Sequence, residues 1–198
     1  MDRLQDTQIT IVGVGAVGRN VAVQLASTGA RKIDLIDFDS VEEPNVTTQG
    51  YWRSQIGKFK VDATVEAMQQ IDGDLNPIPI PTRWNSKMRL KGAVFCCVDN
   101  MESRKLIFEG VQKTADFWVD GRMMGFTAYC YPYAKKDFDK YLETWFPQDE
   151  AEPGRCTSSS TVFSASFLAS AMIYSFVRWL NDKSVYPFGG LPCEFCKL

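Results

Sequence analysis

Apolar runs and amphipathic stretches alternate along the first two thirds of the chain. Short apolar runs at Gln8–Val12, Lys32–Asp37, Asn76–Pro81 and Ala93–Val98 predict strands. Stretches of helical periodicity at Val17–Ser27, Lys58–Ile71 and Met101–Thr114 predict the helices between them. Strands that alternate with helices build a mostly parallel sheet covered on both faces, so the expected fold class is α/β, with three layers. Phe117–Asp120 and Gly125–Tyr131 predict two more strands, with Gly121 and Gly125 bounding a turn. The link between them is too short for a crossover helix, so the pair extends the sheet in antiparallel fashion. Leu142 to Ser160 is acidic, carries Pro147, Pro153 and Gly154, and predicts an exposed crossover loop. A late helix is expected over 161–180 and an irregular tail over 185–198, all in one domain spanning residues 1–198. Phe163, Phe167, Met172 and Phe176 recur at near-helical spacing on that late helix, as core or dimer contacts would.

The first strand runs directly into Gly13-Val14-Gly15-Ala16-Val17-Gly18, and the second ends at Asp37. That order is the fingerprint of a Rossmann-like nucleotide-binding unit. Gly13 permits a sharp turn, Gly15 removes a side chain where a phosphate approaches, and Gly18 lets helix and strand pack closely. Asp37 stands where a carboxylate accepts ribose hydroxyls, and Asp39, two residues on, points the same way if the strand continues. The plainer alternatives are a ligand-free glycine turn and a solvated carboxylate at a strand end. The glycines alone do not separate a redox cofactor from a nucleotide that is consumed.

Composition narrows the chemistry. The net charge of −2 offers no general attraction to nucleic acid or to an anionic membrane, so neither is an expected partner. The apolar-biased segment Thr161–Val177 is interrupted by serines and ends at Arg178, short for a membrane span. No secretory signal precedes the glycine turn, and six cysteines then suggest free thiols in a reducing, cytoplasmic setting. The chain has no histidine, which excludes Ser-His-Asp and Cys-His schemes and imidazole metal ligands. Carboxylates, Lys, Arg, Cys and backbone amides must do the work.

The residues after Asp37 discriminate further. Asp37-Phe38-Asp39-Ser40-Val41 leads through Asn45 and Gln49 to Gly57-Lys58-Phe59-Lys60, and a later strand is followed by Asp99-Asn100-Met101-Glu102-Ser103-Arg104. In this order the motifs resemble the ThiF/MoeB/HesA superfamily, the ubiquitin-activating-like adenylyltransferases, over roughly residues 7–125. The resemblance implies ATP and Mg²⁺, with Asp37 on the ribose and Asn45, Gln49 and Lys60 contacting ATP. Lys60 would lie near the phosphates and Asp99 would hold Mg²⁺. It implies activation of the C-terminal carboxylate of a small ubiquitin-like or sulfur-carrier protein, or of a peptide, with release of pyrophosphate. A homodimer, or pairing with a relative, is also implied. The residues keep structural alternatives open: Lys58 and Lys60 as solvated helix charges, and Asp99 with Glu102 as a capping box.

Two departures from the family pattern bear on activity. Thr48 stands where the family places an arginine, and Arg53 is the nearby substitute. The family's N-terminal arginine-bearing helix is represented only by Arg3. A non-catalytic nucleotide-binding scaffold that pairs with an active relative is therefore a second reading, and an NAD-dependent oxidoreductase a third. Cys156, between Arg155 and the late helix, matches the place where thioester-forming relatives carry their cysteine. Cys193 and Cys196 have zinc-ligand spacing but lack a second pair, and Cys130 and Cys156 are the remaining candidates to complete a Zn²⁺ site. Cys96 and Cys97 adjoin in a strand with opposed side chains and are poor ligands.

Overall fold

A computed structural model of the chain describes residues 2–124, 127–150 and 162–189. After a short helix, α1 (Asp2–Asp6), the elements follow the expected alternation: β1 (Gln8–Val12), α2 (Ala16–Thr28), β2 (Lys32–Ile36), α3 (Glu43–Gln49), α4 (Lys60–Ile71), β3 (Ile78–Ile80), β4 (Gly92–Cys96) and α5 (Met101–Val111). Then come β5 (Ala115–Met124), β6 (Thr127–Ala134), a 3-10 helix over Lys135–Thr144, the long helix α6 (Val162–Leu180) and a short strand β7 (Phe188–Gly189). The strands form one sheet in the order β3-β2-β1-β4-β5-β6-β7. Pairing is parallel from β3 through β5 and antiparallel at β5–β6 and β6–β7. The α/β class with an antiparallel extension is the architecture the alternation predicts.

Both faces of the sheet are covered, and β4 is accordingly without a polar side chain along its whole length, whereas β1 and β2 alternate polar and apolar residues at their starts and become continuously apolar only at Ile11–Val12 and Leu35–Ile36. On one face Ile9, Ile11, Leu35, Phe95 and Phe117 pack against α2, α4 and α6 through residues such as Leu25, Met68, Met172 and Phe176. On the other, Val12, Ile36, Val94 and Trp118 pack against Phe108 of α5 and Phe138 and Tyr141 of the 3-10 helix. The apolar residues of α6 divide between roles: Met172 and Phe176 are core, whereas Phe167 faces outward. By length and composition α6 could cross a membrane, but half of it is buried in this fold.

Two expectations are corrected. Gly121 does not bound a turn, because β5 runs through it to Met124. A Cβ at position 121 would come within 2.5 Å of the Met172 sulfur, so the glycine is required by the approach of α6 to the sheet. The exposed loop expected from Leu142 onward begins instead inside the 3-10 helix Lys135–Thr144, whose Phe138 and Tyr141 close the second core. Burial moves the Cys96 and Cys130 thiols up to about 12 and Cys97 well above its ordinary value, so all three are inert free thiols at neutral pH. Cys156, Cys193 and Cys196 lie outside the described residues.

Candidate active site

The strand order reverses around β1, which sits between β2 and β4, and a crevice opens beyond the carboxyl ends of these strands. It holds a cavity of about 960 Å³ whose walls include Gly13, Gly15, Asp37, Gln49, Lys60 and Asp99. The three glycines have different reasons to be there. Gly13 has a left-handed backbone, with φ of +86°, and a Cβ there would lie 2.8 Å from the Cys97 carbonyl oxygen. At Gly18 an added Cβ would lie 1.9 Å from the Gly13 carbonyl oxygen, as close helix–strand packing requires. At Gly15 the nearest atom to an added Cβ is the Gln49 side chain at 3.8 Å, and the backbone is extended. No protein contact demands a glycine at 15. What its missing side chain leaves is open space in the cavity, at the N-terminus of α2.

Asp37 follows β2 and is almost buried. Its carboxylate accepts the Val14 N–H at 2.6 Å and the Asp39 N–H at 2.9 Å, so it braces the glycine turn while facing the cavity. Burial raises its pKa above the ordinary carboxylate value; the two N–H donors and nearby Lys60 only partly offset this. For an acid raised on folding, the stability carried by the protonated form is present below the unfolded pKa and is lost as pH rises through the folded one. Were a ribose bound at this carboxylate, acceptance of its hydroxyls would have the opposite sense, since it favours the ionised form. Nucleotide affinity is therefore expected to climb with pH through a midpoint above that of an ordinary aspartate. Titration of binding from pH 4 upward, with Asp37→Asn removing that midpoint, checks this.

Lys60 opens α4 and is pinned by its backbone as well as its side chain. Its N–H donates to the Asp39 carbonyl at 2.9 Å, and its Nζ lies 3.0 Å from Asp39 Oδ2. The ammonium is buried while Asp39 is half-exposed, so the charge is held at the cavity wall rather than dispersed in solvent. Lys58 is different: it pairs with Glu66 at the surface at 2.5 Å. Asp99 also lines the cavity, and the Asp99–Glu102 capping box that the sequence left open as an alternative does not form. The cap of α5 is Asn100, whose Oδ1 accepts the Ser103 N–H at 2.9 Å. Asp99 stands one residue outside the helix and is released from that structural duty.

Not every candidate reaches the cavity. Asn45 is buried and caps α3, its Oδ1 accepting the Glu42 N–H at 2.9 Å, and it is not part of the cavity wall. Arg53 makes an exposed ion pair with Glu43 at 2.7 Å and also lies outside the wall, so in this geometry it does not replace a cation at position 48. Thr48 is buried, its hydroxyl donating to the Pro44 carbonyl at 2.7 Å. Among the described residues no three His, Cys, Asp or Glu side chains gather as a metal site.

Three residues around the site, Tyr51, Arg19 and Arg83, carry no signal in the sequence. Tyr51 is buried and its hydroxyl donates to the Val14 carbonyl at 2.5 Å, buttressing the glycine turn from below. Arg19 stacks over the Tyr51 ring at 4.4 Å and donates to the Gly50 carbonyl at 3.0 Å. Arg83 covers Phe38 at 4.1 Å beside Asp37, and both line the cavity. Arg104 sits in the DNxxxR motif but is locked to the buried Asp120 and to the Val98 carbonyl.

Comparison with known proteins places this arrangement. The ThiF family matches residues 1–190. The chain belongs to the ThiF family. Among curated relatives, the adenylyltransferase and sulfurtransferase uba4 of Aspergillus clavatus is 33% identical over 115 residues, covering 53% of this chain and 23% of the relative. Ubiquitin-like modifier-activating enzyme 5 of Oryza sativa is 28% identical over 137 residues, covering 60% of this chain and 32% of the relative. The ThiF-family chain thus spans between about a fifth and a third of the length of these relatives. In solved structures the fold is found in MccB of E. coli, with a TM-score of 0.74 at 15% identity, covering 96% of this chain and 63% of MccB. A structure of MccB with ATP gives a TM-score of 0.73 at 17% identity, covering 95% of this chain and 62% of that one.

Proposed function

We propose that this ThiF-family protein is an ATP-dependent adenylyltransferase acting on the C-terminal carboxylate of a small ubiquitin-like or sulfur-carrier protein, or of a peptide. The observation that carries this reading is the meeting of Gly15, Asp37, Lys60 and Asp99 at one cavity beyond the ends of β1, β2 and β4. ATP would lie with its ribose on Asp37 and its phosphates between the open space at Gly15 and the Lys60 ammonium. The attacking carboxylate oxygen forms a bond to the α-phosphorus while the bond to the β-phosphate oxygen breaks, giving an acyl adenylate and pyrophosphate. Lys60, already buried, balances negative charge without waiting for solvent to reorganise. As phosphate approaches, it trades its Asp39 partner for a phosphate oxygen.

The residues present fit Mg²⁺. One uncommitted carboxylate at a strand end, with phosphates and water completing the shell, is a common way to bind this ion, and no all-protein cage is needed. Asp99 would hold it, and the chemistry it supplies when bound is neutralisation of the departing pyrophosphate. Exposed Phe167, Tyr174 and Val177 on α6 support pairing with a second copy or a relative.

The second reading, a nucleotide-binding subunit without activity, is favoured by the buried Thr48 and by Arg53 being engaged with Glu43. Isotope exchange between pyrophosphate and ATP in the presence of a candidate carrier separates the two. Exchange is expected; ATP binding without exchange for any carrier sinks the enzymatic reading, and NAD binding without ATP binding sinks both.

A further inference from the structure

The turn that presents Asp99 is held on both sides by contacts that come from far along the chain. On its far side, Met101 is the first residue of α5, and both of its backbone groups are taken by residues beyond the 3-10 helix Lys135–Thr144. Its N–H donates to Gln148 Oε1 at 2.7 Å, and its carbonyl accepts the Trp145 Nε1–H at 3.2 Å. One turn further along α5, the Lys105 ammonium sits 4.1 Å from the centre of the Trp145 ring. A first-turn N–H of a helix has no partner within the helix, so Gln148 supplies one from outside, beside the Asn100 cap.

On the near side, the Val98 carbonyl, immediately before Asp99, accepts from Arg104. Arg104 also donates to Asp120, which is fully buried and accepts from Arg122 Nε at 2.7 Å and from the Tyr141 hydroxyl at 2.9 Å. Arg122 in turn donates to the Thr144 carbonyl at 2.7 Å and hydroxyl at 2.9 Å. The polar chain that starts at Val98 therefore ends at the residue before Trp145. Asp99 is bracketed by one connected network.

We infer that residues 144–148 form a latch on the turn that carries Asp99, with Trp145 and Gln148 as positioning residues for the metal-binding carboxylate. This rests on the adenylation reading above. Neither side chain lines the cavity, so they act through Met101 and not by touching nucleotide. Residues that orient a metal ligand from behind commonly change metal affinity when removed, with the ligand itself untouched.

The test uses the full chain with Gln148→Ala, Gln148→Glu and Trp145→Phe, and measures amide hydrogen exchange at Met101 together with calorimetric ATP binding with and without Mg²⁺. Gln148→Ala is expected to accelerate Met101 exchange and to weaken Mg²⁺-dependent ATP binding about tenfold, leaving Mg²⁺-free ATP binding unchanged. Gln148→Glu keeps an acceptor at the same reach and is expected to restore both. Trp145→Phe keeps the ring for Lys105 while removing the N–H, and is expected to give a smaller loss of the same kind. Equal weakening of ATP with and without Mg²⁺, or failure of Gln148→Glu to restore binding, overturns the latch and marks the contacts as structural support. Wild-type protein that binds no ATP under either condition overturns the adenylation reading and the metal role with it. ATP binding that is intact and identical in wild type and Gln148→Ala overturns the latch alone.

Discussion

Lys60→Ala is expected to lower carrier-dependent exchange between pyrophosphate and ATP by about 100- to 1000-fold, the range seen when a preorganised charge-stabilising group is removed. The fold should survive. Lys60 is nearly buried, but its Asp39 partner has a half-exposed side chain, so after the substitution water can solvate the remaining carboxylate. The large penalty for an orphaned charge arises when the survivor is buried, which is not the case here. A thermal midpoint close to wild type together with collapsed exchange would place Lys60 in the chemistry. Normal exchange in Lys60→Ala removes it from the site, and a collapse of the midpoint would make it a structural residue.

Gly15→Val and Gly18→Ala should separate binding from folding within one hexapeptide. A Cβ at 15 points into the cavity and meets only Gln49 at ordinary contact distance, on a backbone that any residue adopts. Gly15→Val is therefore expected to fold like wild type and to lose detectable ATP binding. At 18 even one methyl group collides with the Gly13 carbonyl. Overpacking of this kind costs about 1–3 kcal/mol, which for a chain this long lowers the midpoint by roughly 2–12 °C. Differential scanning calorimetry and calorimetric titration on the two variants check both arms. ATP binding retained in Gly15→Val would show that the phosphates lie elsewhere.

The sequence is most legible where structure is local. The glycine turn, the strand before it and Asp37 lie within a single βαβ unit, and their spacing follows from the strand–turn–helix geometry alone. Lys60 and Asp99 are singled out by the resemblance rather than by local spacing, and the fold brings both to the cavity wall. What the sequence hides depends on contacts between distant segments. Asp99-x-x-Glu102 fits a capping box as well as Asn100-x-x-Ser103 fits an Asn cap, and only the backbone at residue 100 decides between them. Gly121 looks like a turn residue until α6 is laid against the sheet. Residues 142–150 are acidic and carry a proline, yet Gln148 and Trp145 reach α5 across more than forty intervening residues. Arg53 and Arg19 show the limit most clearly. The cation nearer in sequence to the family's arginine position is turned to solvent, while Arg19 is carried under the loop by the pitch of α2.

The position of β1 at the centre of the sheet has a consequence for how the protein is made. Its one edge can pair with β2 as soon as residues 32–36 exist, but its other edge waits for Ala93 to Cys96. Until then a nascent chain carries an apolar strand with a bare row of amides and carbonyls, the kind of edge that recruits other strands. Closure also requires a pairing across some eighty residues of sequence, which is intrinsically slow. Vectorial synthesis therefore leaves the nucleotide cradle half-walled for much of elongation, and fragments ending before Gly92 should be insoluble unless a chaperone occupies that edge.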